Sequence, residues 1–368
     1  MQQTTTPETK SGRKPFYGKQ EAKMIAGIAI IMMVCHHFFG FPETLADGNR
    51  FTYLLSIHSI TAPQFFASFG KLCVAIFAFC SGYALWVNRD SYKDPKTVTH
   101  RGMKFLISYW VVLALFLLAG LLMGDRLPDG QSLLLNLVGL RTATWQPYVN
   151  ITFAWYVAFY ILWLILSPLT AKLFEKTKSF WLDALILFIW TIGFDLISFY
   201  IPYKDILDTF APALVGVLFA KYGLFDHIVT RRNIKTWLAF LAIALLMVIR
   251  PTLILMKVPF FGVCDGLIAG IFILACVSIV HNLKSRKLEE MLVFLGIYSM
   301  NIWFLHAMFF TGSKSLQSWI FWPRYWIAVW IVGFLFTLAI AILVERLQRP
   351  LLKAYTRLTA GNETVHPQ

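Results

Sequence analysis

Ten apolar runs dominate this chain of 368 residues, and each approaches the roughly 20 residues that a helix needs to cross about 30 Å of hydrocarbon. They fall at about 23–41, 67–87, 105–124, 151–170, 180–200, 206–223, 236–255, 260–281, 291–311 and 325–345. A chain with 58% hydrophobic and only 14% charged residues cannot cover such runs with polar surface, so the bilayer must be its solvent. The expected fold is therefore an all-α integral membrane protein of about ten transmembrane helices, placed as a multi-pass protein in the cell (plasma) membrane. Arg250 and Pro251 interrupt the seventh run, which makes a kinked or shifted helix the expectation there.

The net charge of +14 follows from topology rather than from a nucleic-acid partner, because the basic residues sit between apolar runs and not on one water-facing surface. Most Lys and Arg fall on alternate connections: Lys10 to Lys23, Arg89 to Lys104, Lys172 to Lys178, Lys221 to Lys235, Lys284 to Lys287 and Arg346 to Arg357. The intervening connections hold isolated cations such as Arg50, Arg126, Lys204 and Lys257. By the positive-inside rule both termini are expected in the cytoplasm, and only an even number of spans keeps the two sets apart. The expected organisation is a disordered cytoplasmic tail over 1–20, a transmembrane domain over 21–346 and a cytoplasmic C-terminal tail over 347–368. The first run lacks a small-residue cleavage site and reads as an uncleaved anchor. The segment "SLLLNLVGL" (132–140) is too short to span and is expected to be re-entrant or interfacial. The five cysteines all lie in apolar runs, which points to small buried side chains rather than to disulfides or a metal site.

Ionisable groups inside spans are functional candidates by default, because hydrocarbon offers them no partner. His36 and His37 interrupt "IAIIMMVCHHFFGFP" about 21 Å beyond Lys23 at the helical rise. Counting along the other spans places Lys71, Asp195, Asp265 and His306 at a similar depth, with Trp155 and Tyr156 beside them. A shared layer suits chemistry, and it equally suits proton-coupled transport. Arg250 and Asp265 also read as a structural ion pair across a hairpin, and Trp155 and Tyr156 as members of an aromatic belt.

Four segments, taken in order, resemble the membrane-bound acyltransferase 3 family. They are "GIAIIMMVCHHFFGFP", "GKLCVAIFAFCSGYALW" (70–86), "ITFAWYVAFYILWLILSPL" (151–169) and "YSMNIWFLHAMFF" (298–310). The resemblance implies transfer of an acyl group, usually acetyl from cytosolic acetyl-CoA, to a hydroxyl of an envelope or exported carbohydrate. It favours His37 over His36 as the family histidine. The basic residue that the family carries eleven positions earlier falls on Ala26, with Lys23 one turn away. The family's Arg-x-x-Arg at the start of the third helix appears as Arg101 and Lys104 in "RGMK".

Acyl transfer to an alcohol requires a base for the hydroxyl proton, and imidazole is suited to that near neutral pH. His37 is the candidate base, used directly or through an acyl-imidazole. Lys71 is the candidate cation for the developing oxyanion, and Asp195 or His306 the partner that orients the imidazole. Arg101 and Lys104, one turn apart, are the expected site for the phosphates of acyl-CoA. Trp155 and Tyr156 are the candidate acceptor-binding residues. A proton-coupled transporter of an envelope precursor is the alternative reading, with interrupted helices and repeat symmetry as its expected signature.

Overall fold

The computed structural model describes residues 15–41, 51–54, 56–57, 60–122, 128–140, 154–198, 200, 204–231, 234–307 and 314–361. The expected disordered tail lies outside the described residues as far as residue 14. In chain order the elements are α1 (Lys19–Phe39), a two-residue antiparallel ribbon of β1 (Ser56–Ile57) and β2 (Ile60–Thr61), then α2 (Ala62–Gly70), α3 (Leu72–Val87), α4 (Arg89–Lys93), α5 (Pro95–Leu122), α6 (Gly130–Leu137), α7 (Trp155–Lys176) and α8 (Phe180–Ser198). There follow α9 (Lys204–Asp208), α10 (Phe210–Lys221), α11 (Leu224–Arg231), α12 (Thr236–Leu255), α13 (Phe261–Leu283), α14 (Arg286–Ala307), α15 (Lys314–Phe321) and α16 (Trp326–Gly361).

Among the described residues nine helices are long and apolar enough to cross a membrane, and ten if Lys204–Lys221 and Leu224–Thr230, bent by 55°, form one span. The bend falls at Gly223, whose φ of +56° a side chain would disfavour. The second span is α2 and α3 in series, with a turn at Lys71. Pro251 sits in the last turns of α12, where the loss of one backbone donor is tolerated, so the helix continues to Leu255. α16 runs through the segment expected as a C-terminal tail, as far as Gly361.

The chain forms two compact units. The first comprises Met1–Ala29, Lys71–Lys93 and Leu166–Ile297. At its centre is α10, in which every residue from Phe210 to Phe219 is buried, a pattern available only to a helix surrounded by other helices. Glycines allow this approach. A Cβ at Gly82 on α3 would overlap the Ala213 carbonyl oxygen, and one at Gly216 would overlap the Phe79 carbonyl oxygen. Close backbone packing of this kind supplies the dispersion that holds helices together in lipid, where apolar side chains gain little by leaving hydrocarbon for protein.

Two buried ion pairs tie the same unit together. Arg250 donates from Nε to Asp265 Oδ1 at 2.7 Å and from Nη2 to Oδ2 at 3.0 Å, joining α12 to α13 in a bidentate fork. The pair is the hairpin brace anticipated from the sequence. Lys221, at the end of α10, reaches the turn between α7 and α8. Its ammonium, with three N–H groups, lies within hydrogen-bond reach of four oxygens, the carbonyls of Phe174 (2.6 Å) and Thr177 (2.9 Å), Thr177 Oγ1 (2.8 Å) and the fully buried Asp183 carboxylate, which also accepts from Tyr222 at 2.6 Å. This lysine had the sequence signature of an ordinary topology-setting cation; it is instead the cap of α7 and the counter-ion of Asp183.

The second unit comprises Ile30–Gly70, Asp94–Ile165 and Tyr298–Gln368. Its α5 begins at an Asp94–Pro95 step, where the carboxylate caps the N–H groups of Lys96 and Thr97 and proline occupies the first helical position, which needs no donor. The Thr97 hydroxyl and these N–H groups hold the Asp94 carboxyl below its ordinary value. The cap is therefore in force above the unfolded carboxylate pKa and is lost as pH falls through the lowered one. α16 packs beside α5 and also against α1, where Gly333 leaves room for the Phe38 ring.

Lys221→Met leaves Asp183 charged and buried without its cation, and should destabilise the protein by about 3–5 kcal/mol. Lys221→Met/Asp183→Leu should recover much of that loss. Thermal unfolding in detergent micelles checks both, and a wild-type midpoint for the single variant would contradict the assignment.

Candidate active site

The last turn of α1 carries His36 and His37, and the last turn of α14 carries His306; all three belong to the second unit and are buried. His36 is fixed by its Nδ1, 2.8 Å from the Ala67 carbonyl oxygen on α2. α2 comes this close because Gly70 has no side chain: a Cβ there would lie 2.6 Å from the Met32 carbonyl oxygen and 3.2 Å from His36 Cβ. Phe41 lies against both rings of the pair, with centroids 5.3 Å from His36 and 6.2 Å from His37.

His37 and His306 are joined directly. His306 Nε2 lies 3.0 Å from His37 Nδ1, and the ring centroids are 4.7 Å apart. Each ring also faces a backbone carbonyl, His37 Nδ1 that of Met33 at 3.1 Å and His306 Nδ1 that of Trp303. A carbonyl oxygen only accepts, so these contacts determine the protons of the neutral pair. His306 donates from Nδ1 to Trp303, which leaves a lone pair on its Nε2. His37 Nδ1 faces both that lone pair and the Met33 carbonyl, so its one proton is shared between the two acceptors. The arrangement gives a charge that develops on the His37 ring an acceptor on the His306 side. Of the two orienting partners considered from sequence, the structure brings His306 to the ring.

Aromatic side chains surround this pair on α14. Trp303 meets Tyr156 of α7 with centroids 4.0 Å apart, and Tyr156 meets Trp155 at 5.9 Å. Phe304 packs on Tyr109 and Phe105 of α5. The Tyr109 hydroxyl donates to the Asn136 carbonyl and Trp110 Nε1 to the Leu137 carbonyl, both at 2.8 Å. These bonds hold the end of α6 about 21 Å along α5 from its start, so the short helix that "SLLLNLVGL" forms over 132–137 ends at mid-height on its neighbour. Asp129 caps α6 by accepting from the Ser132 N–H at 2.8 Å, and Gly139, at φ +80°, fits against the Ala154 carbonyl where α7 begins.

Of the residues selected from sequence, the second unit thus brings together His36, His37, His306, Trp155 and Tyr156. Arg101 and Lys104 lie in the same unit, half-buried and one turn apart near the start of α5. Lys71 is exposed at the turn between α2 and α3, and Asp195 is half-buried on α8; both belong to the first unit. Three residues escaped the sequence reading. Trp303 and Asn301 sit in the same quoted segment as His306 and could have been found there, whereas Gln348 lies in a stretch that reads as a polar tail.

A family model described as an acyltransferase domain matches residues 25–346, from the first helix through most of the last. The chain belongs to the acyltransferase 3 family. No curated protein and no solved structure matches it. Membership makes it a multi-pass membrane acyltransferase, and His36, His37 and His306 all fall within the matched region.

The tautomers are open to direct measurement. Nitrogen-15 spectra of histidine-labelled protein at neutral pH should show His37 and His306 protonated at Nδ1; protonation of His37 at Nε2 would contradict the relay.

Proposed function

We propose that this acyltransferase moves an acyl group, acetyl in the simplest case, from cytosolic acyl-CoA to a hydroxyl of an envelope or exported carbohydrate. The observation that carries the proposal is the His37–His306 hydrogen bond, which pairs a candidate base with a second imidazole inside a chain of this family. In the reading proposed here the chain lies in the plasma membrane with both termini in the cytoplasm, the orientation favoured by its basic loops. The start of α5 then faces the cytosol, where Arg101 and Lys104 bind the phosphates of the donor. Trp155 and Tyr156 offer an aromatic surface to the acceptor sugar.

In the reaction His37 Nε2 removes the acceptor hydroxyl proton as the oxygen attacks the thioester carbonyl. The new C–O bond gives a tetrahedral oxyanion, whose collapse breaks the C–S bond and releases the CoA thiolate. The imidazolium returns its proton to that sulfur, yielding ester and free CoA. While His37 is charged, its Nδ1–H stays bonded to His306 Nε2 and the Met33 carbonyl, which disperses the charge without moving water into the site. Lys71 and Asp195 are assigned no step in this scheme. Family membership weighs against the transport reading, although the bent α9–α11 span is the kind of interruption that it anticipates.

Membranes supplied with labelled acetyl-CoA test the proposal. His37→Ala should lower labelling of envelope carbohydrate by about 10²–10⁴-fold, and His306→Phe by a smaller factor of about 10–100, at unchanged protein level. Arg101→Gln/Lys104→Gln should raise the KM for acyl-CoA with kcat nearly kept. Wild-type labelling by the His37 variant would remove the base, and substrate flux without acylation would point to transport.

A further inference from the structure

α14 presents a different side chain to each of its neighbours in the second unit: Trp303 to α7, Phe304 to α5, His306 to α1, and Asn301 to α16. Three of these contacts are ring packing or an imidazole pair. The fourth is a reciprocal amide pair. Asn301 Nδ2 donates to Gln348 Oε1 at 3.0 Å, and Gln348 Nε2 donates back to Asn301 Oδ1 at 3.0 Å. Gln348 Nε2 also donates to the Ser108 carbonyl of α5 at 2.9 Å. Asn301 is 4% exposed and Gln348 1%. A second contact, the stacked rings of His100 and Tyr355 with centroids 5.1 Å apart, aligns α5 and α16 two turns further along.

We propose that Asn301 and Gln348 are positioning residues for the histidine relay: their paired amides set the rotation of α14 about its own axis, and so the distance from His306 Nε2 to His37. The argument rests on the acyl-transfer reading for its activity consequence and on geometry alone for the rest. Apolar helix contacts in a membrane are weakly directional, and a helix packed only by rings can turn by several degrees at little cost. A ring nitrogen lies about 6 Å from the helix axis, so a rotation of about 10° moves it by about 1 Å. That is enough to break a 3.0 Å hydrogen bond, and misplacement of this size costs on the order of 100-fold in rate. The reciprocal bonds tie Asn301 of α14 to Gln348, and the third ties Gln348 to α5, so a turn of α14 that carries Asn301 away stretches the amide pair against an anchored partner. Buried polar groups that specify a unique arrangement, rather than adding stability, have this signature.

The test separates positioning from stability. In Asn301→Leu/Gln348→Leu no amide is left unpaired, so the variant should keep its unfolding midpoint within a few degrees. Its acetyl transfer should nevertheless fall about 10–100-fold. The rate at which diethyl pyrocarbonate modifies His37, followed by mass spectrometry of its peptide, should change as well. The exchange Asn301→Gln/Gln348→Asn keeps the combined length and the reciprocal bonding, and should restore both readouts to within a few-fold of wild type. Wild-type transfer and His37 reactivity in a folded double-leucine variant would overturn the proposal. If that variant does not fold, a folded exchange variant that is slow in transfer and altered at His37 would overturn it equally. Absence of transfer by the wild-type protein would instead count against the functional reading, leaving His37 reactivity to judge the clamp.

Discussion

The hydrogen bond between two imidazoles, one at the end of α1 and one at the end of α14, is the interaction on which the proposed chemistry depends. Neither ring can rely on water, so each must find its acceptors within the protein, and backbone carbonyls at the ends of the same helices provide them. That requirement turns a pair of ambiguous donors and acceptors into a directed chain from His37 through His306 to Trp303. A buried histidine facing only apolar groups would stay neutral and take either tautomer. Here the Met33 and Trp303 carbonyls each favour a proton on the Nδ1 that faces them.

The rest of the second unit can be understood as support for that bond. Gly70 lets α2 close on α1 and fix His36, Gly333 lets α16 close on Phe38, and the α6 segment is pinned to α5 by Tyr109 and Trp110. The first unit solves a different problem with the same means. Its central helix is surrounded by others, glycines admit backbone contact, and the charges at Lys221, Asp183, Arg250 and Asp265 are each satisfied within protein. In both units the buried charges and amides described above meet several acceptors or donors, as the absence of solvent in a bilayer demands.

Much of this was legible in the sequence because span length is dictated by membrane thickness. Each of the ten apolar runs recurs as helix, one of them as a bent pair, although α5 begins ten residues earlier and α16 ends sixteen residues later than the runs do, and the short "SLLLNLVGL" segment is not among the spans. The break at Lys71 and the bend at Gly223 were not legible, since composition does not register a turn inside an apolar run. In the site, the depth argument selected His37, His306 and Tyr156, which the structure places in one unit. It also selected Lys71 and Asp195, which belong to the first unit; depth along a helix does not say which neighbours that helix has. Lys221 shows the same limit from the opposite direction: as a basic residue at a span end it was indistinguishable from topology-setting charge, and only the arrival of Asp183 and the α7 carbonyls at the same point reveals its role. Gln348 lies beyond the last apolar run and gave no signal at all; its burial follows from α16 continuing beside α5.

The central claim is that the acyl carbonyl is delivered to the unprotonated nitrogen of His37. An electron cryomicroscopy structure with an acyl-CoA analogue whose sulfur is replaced by methylene would test it most directly. The account predicts the analogue's carbonyl carbon within about 4 Å of His37 Nε2, near-attack range for an acceptor oxygen held by that base, with the phosphates beside Arg101 and Lys104. An analogue bound with its carbonyl remote from His37, or with the histidine relay intact and closed to it, would contradict the account.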